Sequence, residues 1–322
     1  MGKKNLIPED IYEARNRIQP YIRHTPMLRE KTMDQAMKCQ VWLKPEMLQI
    51  SGSFKIRGAA NKILSMSEEE RSRGIICASS GNHGIACALI GKMTGTKVTV
   101  ILPEDAPQIK ADRIFALGGT VIKGPRIYQE RMKILEKETE KNGYVLVHPY
   151  EDYDIMAGQG TIGLEMLEDV PELDRIITPV GGGGLISGIA VAAKAINPDI
   201  KITGVQAKAS EPYVQSFRAG HPVEVECYPT IADGLTGRRP GILPFPLICK
   251  YVDELVSVGE DDIREGVRQI AAGARLIAEP SSAVVAAALL SGACKVSEDE
   301  NVGLVLTSGN WNIERIGKIF CE

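Results

Sequence analysis

The stretch that decides the fold is RIITPVGGGGLISGIAVAAKAI, residues 175–196. A short run with β-branched and apolar side chains comes first, then four glycines, and then a mostly apolar stretch over residues 185–196. A buried strand, a glycine-rich turn and a helix in this order form the unit from which parallel sheets are built. The stretch therefore predicts a strand over residues 175–180 and a helix over residues 185–196.

The same alternation of strand and helix continues along most of the chain. Helical stretches of a dozen or more residues separate short runs that are rich in β-branched side chains. From residue 74 onward these runs cover residues 75–77, 98–102, 120–122, 144–147, 202–205, 255–258 and 302–306, and a short apolar stretch precedes them at residues 41–43. Continuous apolar strands that alternate with helices are typical of a buried, mostly parallel sheet. The sequence therefore predicts an α/β protein, with an opening helix over residues 8–18 and a long surface loop over residues 234–246.

The composition excludes several classes of protein and of partner. Of the 322 residues, 44% are hydrophobic and 25% are charged, which excludes a disordered chain, a collagen-like fibre and a disulfide-stapled miniprotein. The net charge of −3 gives no electrostatic reason to expect nucleic acid or an anionic membrane as partner. The apolar runs are far shorter than the roughly 20 residues that span a bilayer. Seven cysteines without a C-x-x-C pair favour reduced thiols, so we expect a cytoplasmic protein.

Glycine and hydroxyl side chains gather at three turns that each follow a predicted strand. The turns are SSGNHG (79–84), GGGG (181–184) and TSGN (307–310). In open α/β sheets, ligands bind beyond the carboxyl ends of the strands, which is where these turns lie. The three turns are therefore the first places to look for a binding site.

Four consecutive glycines before a helix favour phosphate binding, because backbone N–H groups and the helix N-terminus then point at one anion. The alternative is a tight turn, but one or two glycines would satisfy that. The dinucleotide fingerprint G-x-G-x-x-G is absent, since Ser187 stands at its third glycine, and the next strand ends at Gln206 instead of an acid. The sequence for an ATP-binding P-loop is absent too. A single phosphate on a smaller cofactor remains.

One lysine stands out in the stretch SGSFKIRGA, residues 51–59. Lys55 follows Phe54 in a turn of serines and glycine that runs into a helix. A surface charge is the ordinary role of a lysine. Here, however, the nearest charge along the chain is Arg57, a like charge that we expect to lower the pKa of Lys55. A lysine with a lowered pKa can form a Schiff base with a carbonyl compound.

The stretches SGSFKIRGA, SSGNHG, GGGGLISG and TSGN, in this order, resemble those of the fold type II (tryptophan synthase β-like) pyridoxal-phosphate enzymes. Within that group the chain is most similar to the serine/threonine dehydratases and serine racemases, over nearly its whole length. The resemblance implies two open, mostly parallel twisted sheets with flanking helices and the cofactor in the cleft between two domains. The large domain would comprise residues 1–73 and 149–322, and the small inserted domain residues 74–148. The resemblance also implies a homodimer or homotetramer.

The resemblance further implies which residues hold the cofactor, pyridoxal 5'-phosphate. Lys55 would carry it through a Schiff base and then act as the base that takes the Cα proton of the substrate. Phe54 would pack against its ring, Asn82 would bond its phenolic oxygen, and Thr307 would face its pyridine nitrogen. The residues that would hold its phosphate are Gly181, Gly182, Gly183 and Gly184. The residues that would bind the substrate carboxylate are Ser79, Ser80, Gly81, Asn82 and His83.

The reaction that the resemblance implies is the dehydration of L-threonine or L-serine, which are small β-hydroxy amino acids. The substrate loses its α-proton and β-hydroxyl, and hydrolysis then gives a 2-oxo acid and ammonia. A hydroxyl such as that of Thr307 cannot keep a pyridine nitrogen charged as a carboxylate would, so the ring is a weaker electron sink. A short-lived carbanion then favours the loss of the β-hydroxyl over transamination.

Ser80 leaves a second activity open, since in serine racemases a serine at this position is the acid or base on the face opposite the lysine. A site with two bases can return the proton from the other side, so racemisation of serine or another amino acid is the alternative to elimination. Ser80 can equally be a turn residue that caps the following helix. A protein that binds the cofactor without catalysis is a third alternative, and the presence of Lys55 and Asn82 argues against it.

The resemblance also bears on metal ions. Relatives that bind a divalent cation beside the cofactor have an acid directly after the strand that matches residues 202–205, and another acid six residues on. Gln206 and Pro212 stand at these two places. Because hard cations prefer carboxylate oxygens, we expect this metal site to be absent or weak, and we name no metal ligand.

Overall fold

The computed structural model describes residues 5–79, 81–106, 108–125 and 128–321. The strands are β1 (Leu28–Arg29), β2 (Gln40–Pro45), β3 (Ile75–Ala78), β4 (Val98–Pro103), β5 (Thr120–Gly124), β6 (Val145–Leu146), β7 (Arg175–Pro179), β8 (Lys201–Ala207), β9 (Glu254–Val258) and β10 (Asn301–Leu306). The helices are α1 (Pro8–Ile18), α2 (Lys31–Met37), α3 (Lys55–Ser65), α4 (Glu68–Arg73), α5 (Asn82–Thr94), α6 (Gln108–Ala116), α7 (Tyr128–Asn142), α8 (Tyr153–Asp169), α9 (Gly184–Ile196), α10 (Pro212–Ala219), α11 (Pro244–Tyr251), α12 (Glu260–Ala274), α13 (Pro280–Leu290) and α14 (Ile313–Cys321).

The strands form two separate sheets. The larger sheet has the order β1-β2-β10-β7-β8-β9 and is parallel except for β1, which pairs antiparallel with β2. The smaller sheet has the order β5-β4-β3-β6 and is parallel throughout. The predicted α/β fold and the mostly parallel sheets are confirmed. The short antiparallel strand β1 was not predicted, because its two residues carry no strand-like alternation.

Helix α1 shows how local sequence signals fix an element. It begins at Pro8, whose ring presets the backbone angle of a first helical residue, and acidic residues follow in the first turn. Ile11, Ala14 and Ile18 recur at helical spacing and are fully buried. The predicted helix over residues 8–18 is confirmed with the same bounds.

The core around the larger sheet contains one almost fully buried helix, α13, and one closely packed pair of helices, α8 and α9. Helix α13 is buried along nearly its whole length and packs beside β7, β8, β9 and β10. Helices α8 and α9 pack tightly against each other, and a Cβ atom on Gly160 would lie 2.8 Å from the carbonyl oxygen of Gly188. The carboxyl end of β7 leads into the glycine turn, and the carboxyl end of β10 leads into the TSGN turn.

The loop predicted over residues 234–246 is helical at both ends, which corrects the prediction. A 3-10 helix covers Asp233–Leu235, and α11 already begins at Pro244. The prolines that suggested an irregular loop are partly first-turn residues of a helix, where the missing N–H costs nothing. Among the described residues, no helix combines the length and the apolar character that crossing a membrane requires.

Candidate active site

The lysine turn and the TSGN turn are joined through their backbones. Ser53 and Ser308 form an isolated antiparallel bridge, and the amide of Phe54 donates to the carbonyl oxygen of Thr307 at 3.0 Å. Lys55 is the first residue of α3, directly after this junction. The start of α3 is therefore held against the carboxyl end of β10, as the predicted site requires.

Lys55 has the surroundings of a reactive amine. Its side chain is half-buried, its Nζ donates to the carbonyl oxygen of Pro149 at 3.1 Å, and the Phe54 ring centre lies 5.0 Å away. Burial lowers the pKa of Lys55 from 10.5 to about 8. A substantial fraction of the amine is therefore neutral near physiological pH, as a nucleophile or a proton acceptor must be.

The expected cause of the lowered pKa was wrong. Arg57 does not act on Lys55 as an unpaired like charge, because its fully buried guanidinium bonds to two carboxylates. Its Nε donates to Oε2 of Glu46 at 2.7 Å, and its Nη1 donates to Oε1 of Glu165 at 2.6 Å. The pKa of Lys55 is lowered by burial, and Arg57 is not among its causes.

Arg57 belongs to a larger network of buried charges. The Nζ of Lys44 donates to Oε2 of Glu165 at 2.6 Å, and the Thr25 hydroxyl donates to Oε1 of Glu46 at 2.6 Å. Burial alone would raise the pKa of Glu165, but Arg57 and Lys44 outweigh it and hold that pKa below its usual range. The network fixes the first turn of α3 to β2 and α8, and so it positions Lys55.

The tetraglycine turn is crowded on its protein side. A Cβ atom on Gly182 would overlap the ring of Tyr150, and a Cβ atom on Gly183, whose φ is +88°, would overlap the hydroxyl of Tyr213. That hydroxyl donates to the carbonyl oxygen of Gly182 at 2.8 Å and accepts from the amide of Gly241 at 2.8 Å. Only glycine fits here, and no local sequence pattern pointed to the two tyrosines that impose this.

The amides of this turn remain available for a ligand. Within the described part of the chain, the N–H groups of Gly181, Gly182 and Gly183 donate to no protein acceptor. They directly precede α9, whose N-terminus carries the positive end of the helix dipole. Free amides at a helix N-terminus are a good binding site for a phosphate group.

Asn82 lies at the junction of three segments. Its Nδ2 donates to Oε1 of Glu279 at 3.2 Å, and its Oδ1 accepts from Nδ2 of Asn310 at 3.0 Å. Asn310 also donates to the backbone carbonyl of Ser51 at 2.9 Å. Burial raises the pKa of Glu279. Glu279, directly before α13, and Asn310, the last residue of the TSGN turn, were missed as site residues.

The turn predicted to bind the substrate carboxylate has two side chains already engaged. The Ser79 hydroxyl accepts from the amides of Gly81 at 3.0 Å and Gly84 at 3.1 Å, which caps α5. The ring of His83 is buried, and its Nε2 lies 2.9 Å from the carbonyl oxygen of Val147. Ser80 lies outside the described residues. Its predicted roles in substrate binding and as a second base stay predictions.

Thr307 and Gln206 differ in the number of hydrogen bonds that their side chains form. Thr307 is buried, and its hydroxyl forms no hydrogen bond within the residues that the structure describes. The Oε1 of Gln206 accepts from the amides of Tyr213 at 2.8 Å and Val214 at 3.1 Å. Its Nε2 donates to the carbonyl oxygen of Val180 at 3.2 Å. Gln206 therefore caps the start of α10.

Comparisons with known proteins agree with this geometry. The family model described as "Pyridoxal-phosphate dependent enzyme" matches residues 18–308. The chain is 40% identical over 312 residues to the L-threonine ammonia-lyase of Thermotoga maritima, covering 97% of this chain and 77% of that protein. It is also 40% identical over 313 residues to the catabolic L-threonine dehydratase TdcB of Staphylococcus aureus, covering 96% and 90%. The serine racemase of Dictyostelium discoideum superposes with a TM-score of 0.90 at 38% identity, covering 95% and 99%.

The residues present fit pyridoxal 5'-phosphate. The free amides of Gly181, Gly182 and Gly183 suit its phosphate, and the amine of Lys55 suits its aldehyde. The hydroxyl of Thr307 suits its pyridine nitrogen. On this fit and on the family match, the chain belongs to the family of pyridoxal-phosphate dependent enzymes, with pyridoxal 5'-phosphate as its cofactor.

Proposed function

We propose that the protein is an ammonia-lyase that dehydrates L-threonine and L-serine to a 2-oxo acid and ammonia. The observation that carries the proposal is the Lys55 amine, whose pKa is lowered to about 8 at the start of α3. Two relatives at 40% identity that are named for threonine deamination support the choice of reaction. A small β-hydroxy amino acid is the substrate class that this chemistry requires.

The chain's own groups divide the work of the reaction. When bound, the cofactor supplies an electron sink for the negative charge that develops at the substrate Cα. The Nζ of Lys55 accepts the Cα proton, and the amides of Gly181, Gly182 and Gly183 would hold the phosphate. The N-terminal turn of α5 binds the substrate carboxylate through the helix dipole. The Thr307 hydroxyl would bond the pyridine nitrogen, and because it adds no negative charge it would not strengthen the electron sink.

Serine racemisation is the second candidate function. The superposition with the Dictyostelium serine racemase at 38% identity favours it, as does the serine at position 80 in the sequence. Racemisation needs a second acid or base on the face opposite Lys55, and Ser80 is the residue proposed for that role. The competing explanation is that Ser80 is an ordinary turn residue, since the hydroxyl of Ser79 already caps α5.

Four features beyond the reaction are also proposals. The smaller sheet draws all of its strands from Ile75–Leu146, which supports an inserted domain over residues 74–148. A homodimer or homotetramer and a cytoplasmic location stay predictions from the sequence. The divalent cation site expected to be absent or weak at Gln206 and Pro212 is likewise still a prediction.

The decisive experiment incubates the holoenzyme with L-threonine, L-serine and D-serine and scores the 2-oxo acid and the serine enantiomers together. We expect a 2-oxo acid from both L-substrates, and Lys55→Ala to abolish it. Lys62→Ala is the matched control, since Lys62 lies on the same helix but pairs with Asp152 at 2.8 Å. Ser80→Ala should spare elimination and remove any racemisation. Full activity in Lys55→Ala would refute the proposal, and equal loss of both activities in Ser80→Ala would make Ser80 structural.

A further inference from the structure

Four polar side chains form one continuous chain of hydrogen bonds beside the lysine turn. The Nη1 of Arg113, on α6, donates to Oδ1 of Asn310 at 2.7 Å. The Nδ2 of Asn310 donates to Oδ1 of Asn82 at 3.0 Å, and the Nδ2 of Asn82 donates to Oε1 of Glu279 at 3.2 Å. The chain therefore begins at a guanidinium, passes through two amides and ends at a carboxyl group.

The first residue of this chain fixes the orientation of both amides. A guanidinium has no acceptor atom, so Arg113 can bond only the oxygen of the Asn310 amide. The nitrogen of that amide then faces Asn82, and it also donates to the backbone carbonyl of Ser51 at 2.9 Å. Asn82 in turn must present its oxygen to Asn310 and its nitrogen to Glu279. Hydrogen bonds aligned in one direction polarise and strengthen one another.

The orientation of Asn82 leaves one of its hydrogens available. Its Nδ2 carries two hydrogens, and its contacts within the described part of the chain are to the two carboxyl oxygens of Glu279, at 3.2 and 3.5 Å. These oxygens belong to one carboxyl group and lie in nearly the same direction, so one N–H can donate elsewhere. The predicted acceptor for Asn82 is the phenolic oxygen of the cofactor.

Arg113 reaches this chain from the side of the smaller sheet. Its helix α6 packs against β5 of that sheet, whereas Asn310 follows β10 of the larger sheet. The Nη2 of Arg113 also donates to the backbone carbonyl of Ser51 at 3.4 Å. Gly52 leaves room for the amide of Asn310, since a Cβ atom there would overlap its Oδ1. Arg113 therefore connects the two sheets at the amide that holds Asn82.

We propose that Arg113 is a positioning residue for the cofactor, acting through Asn310 to hold an N–H of Asn82 toward the phenolic oxygen. The inference rests on the proposed function insofar as Asn82 faces the cofactor. A donor at the phenolic oxygen favours its ionised form over the neutral phenol. Arg113 itself makes no contact with the cofactor in this proposal.

The test titrates the apoenzyme with pyridoxal 5'-phosphate and records the absorption spectrum of the bound cofactor. Arg113→Met should weaken cofactor binding by about tenfold, the effect of losing a hydrogen bond to a charged group. The absorption band of the ionised phenolic form should also lose intensity to the shorter-wavelength band of the neutral phenol. Arg268→Met is the matched control, since Arg268 is also half-buried and its Nε donates to the backbone carbonyl of Ile319 at 3.0 Å. The control should leave both the affinity and the spectrum unchanged.

A double-mutant cycle separates action through Asn82 from a general structural role. Asn82→Ala should weaken cofactor binding, and Arg113→Met added to it should weaken binding by less than about twofold more. Independent losses in the double variant, or unchanged affinity in either single variant, would overturn the inference.

Asn310→Asp tests the direction of the hydrogen-bond chain with almost no change in shape. The new carboxylate strengthens the contact with Arg113, but it can no longer donate to Asn82. We therefore expect the same loss of affinity and the same spectral change as in Arg113→Met. Wild-type affinity and spectrum in Asn310→Asp would overturn the inference, even if Arg113→Met fails to fold. A loss of 2-oxo acid production without either change bears only on the proposed function.

Discussion

Replacing Arg57 by methionine tests whether the buried charge network positions Lys55. The guanidinium of Arg57 makes ion pairs of 2.7 Å with Glu46 and 2.6 Å with Glu165, and its side chain is completely buried. Methionine has a similar length but no charge, so the substitution leaves two buried carboxylates without their main partner. Lys44 still bonds to Glu165, and the Thr25 hydroxyl still bonds to Glu46.

The expected cost is about 3 to 5 kcal/mol of the free energy of unfolding, which is the usual cost of removing one partner of a buried ion pair. The carboxylates left behind can be neutralised by protons, so the cost should shrink as the pH falls from about 8 to about 5. Because Lys55 lies in the same turn of α3, we also expect weaker cofactor binding, by about tenfold or more.

Urea denaturation, followed by tryptophan fluorescence and by circular dichroism, measures the loss, and coincident transitions test two-state behaviour. Arg175→Met is the matched control, since Arg175 is also buried and pairs with Glu300 at 2.7 Å on the larger sheet. The control should lose stability without losing cofactor affinity. The reasoning is refuted if Arg57→Met lies within about 1 kcal/mol of the wild type at pH 8, or if both variants lose cofactor affinity equally.

Three further predictions follow from the same geometry. Gly182→Ala should lower cofactor affinity by about tenfold or more, because its Cβ would overlap the Tyr150 ring. Gly237→Ala is the control, since its Cβ would lie in open space and should not change the affinity. Titration of each apoenzyme with the cofactor measures both affinities. The rate of cofactor capture by the apoenzyme should rise with pH and level off above about 8, the pKa of Lys55, and a rise that continues to 10.5 would contradict the burial argument. Burial lowers the pKa of His83 from 6.5 to about 3, so the unfolded chain takes up a proton at a higher pH than the folded protein does. The free energy of unfolding should therefore fall below pH 6.5, by about 2 kcal/mol at pH 5. His83→Gln should flatten this pH dependence in acid denaturation, and an unchanged pH dependence would refute the prediction.

Much of the fold could be predicted because strong local signals carry it. The apolar strand before the glycine turn and the apolar helix after it are both present, as Arg175–Pro179 and Gly184–Ile196. Local signals could not predict β1, because its two residues form a strand only by pairing with β2. Its existence depends on a tertiary contact rather than on its own sequence.

The same division applies to the site. The motifs identified Lys55 and the glycines, because their residue types are unusual for ordinary turns. They could not show that Asn82 contacts Glu279, which lies 197 residues further along the chain. They also predicted the wrong cause for the lowered pKa of Lys55, because they could not show that Arg57 is paired with carboxylates. One of these, Glu165, lies 108 residues from Arg57 along the chain. Such pairings arise only when distant segments pack together.

We propose that Lys55 is the lysine that holds the cofactor. Treatment of the holoenzyme with borohydride fixes the cofactor covalently to the amine that carries it, and mass spectrometry of the peptides then locates the added mass. We expect the pyridoxyl group on Lys55 alone, with Lys44 and Lys62 unmodified. A pyridoxyl group on any other lysine, or a cofactor that remains non-covalent, would contradict it.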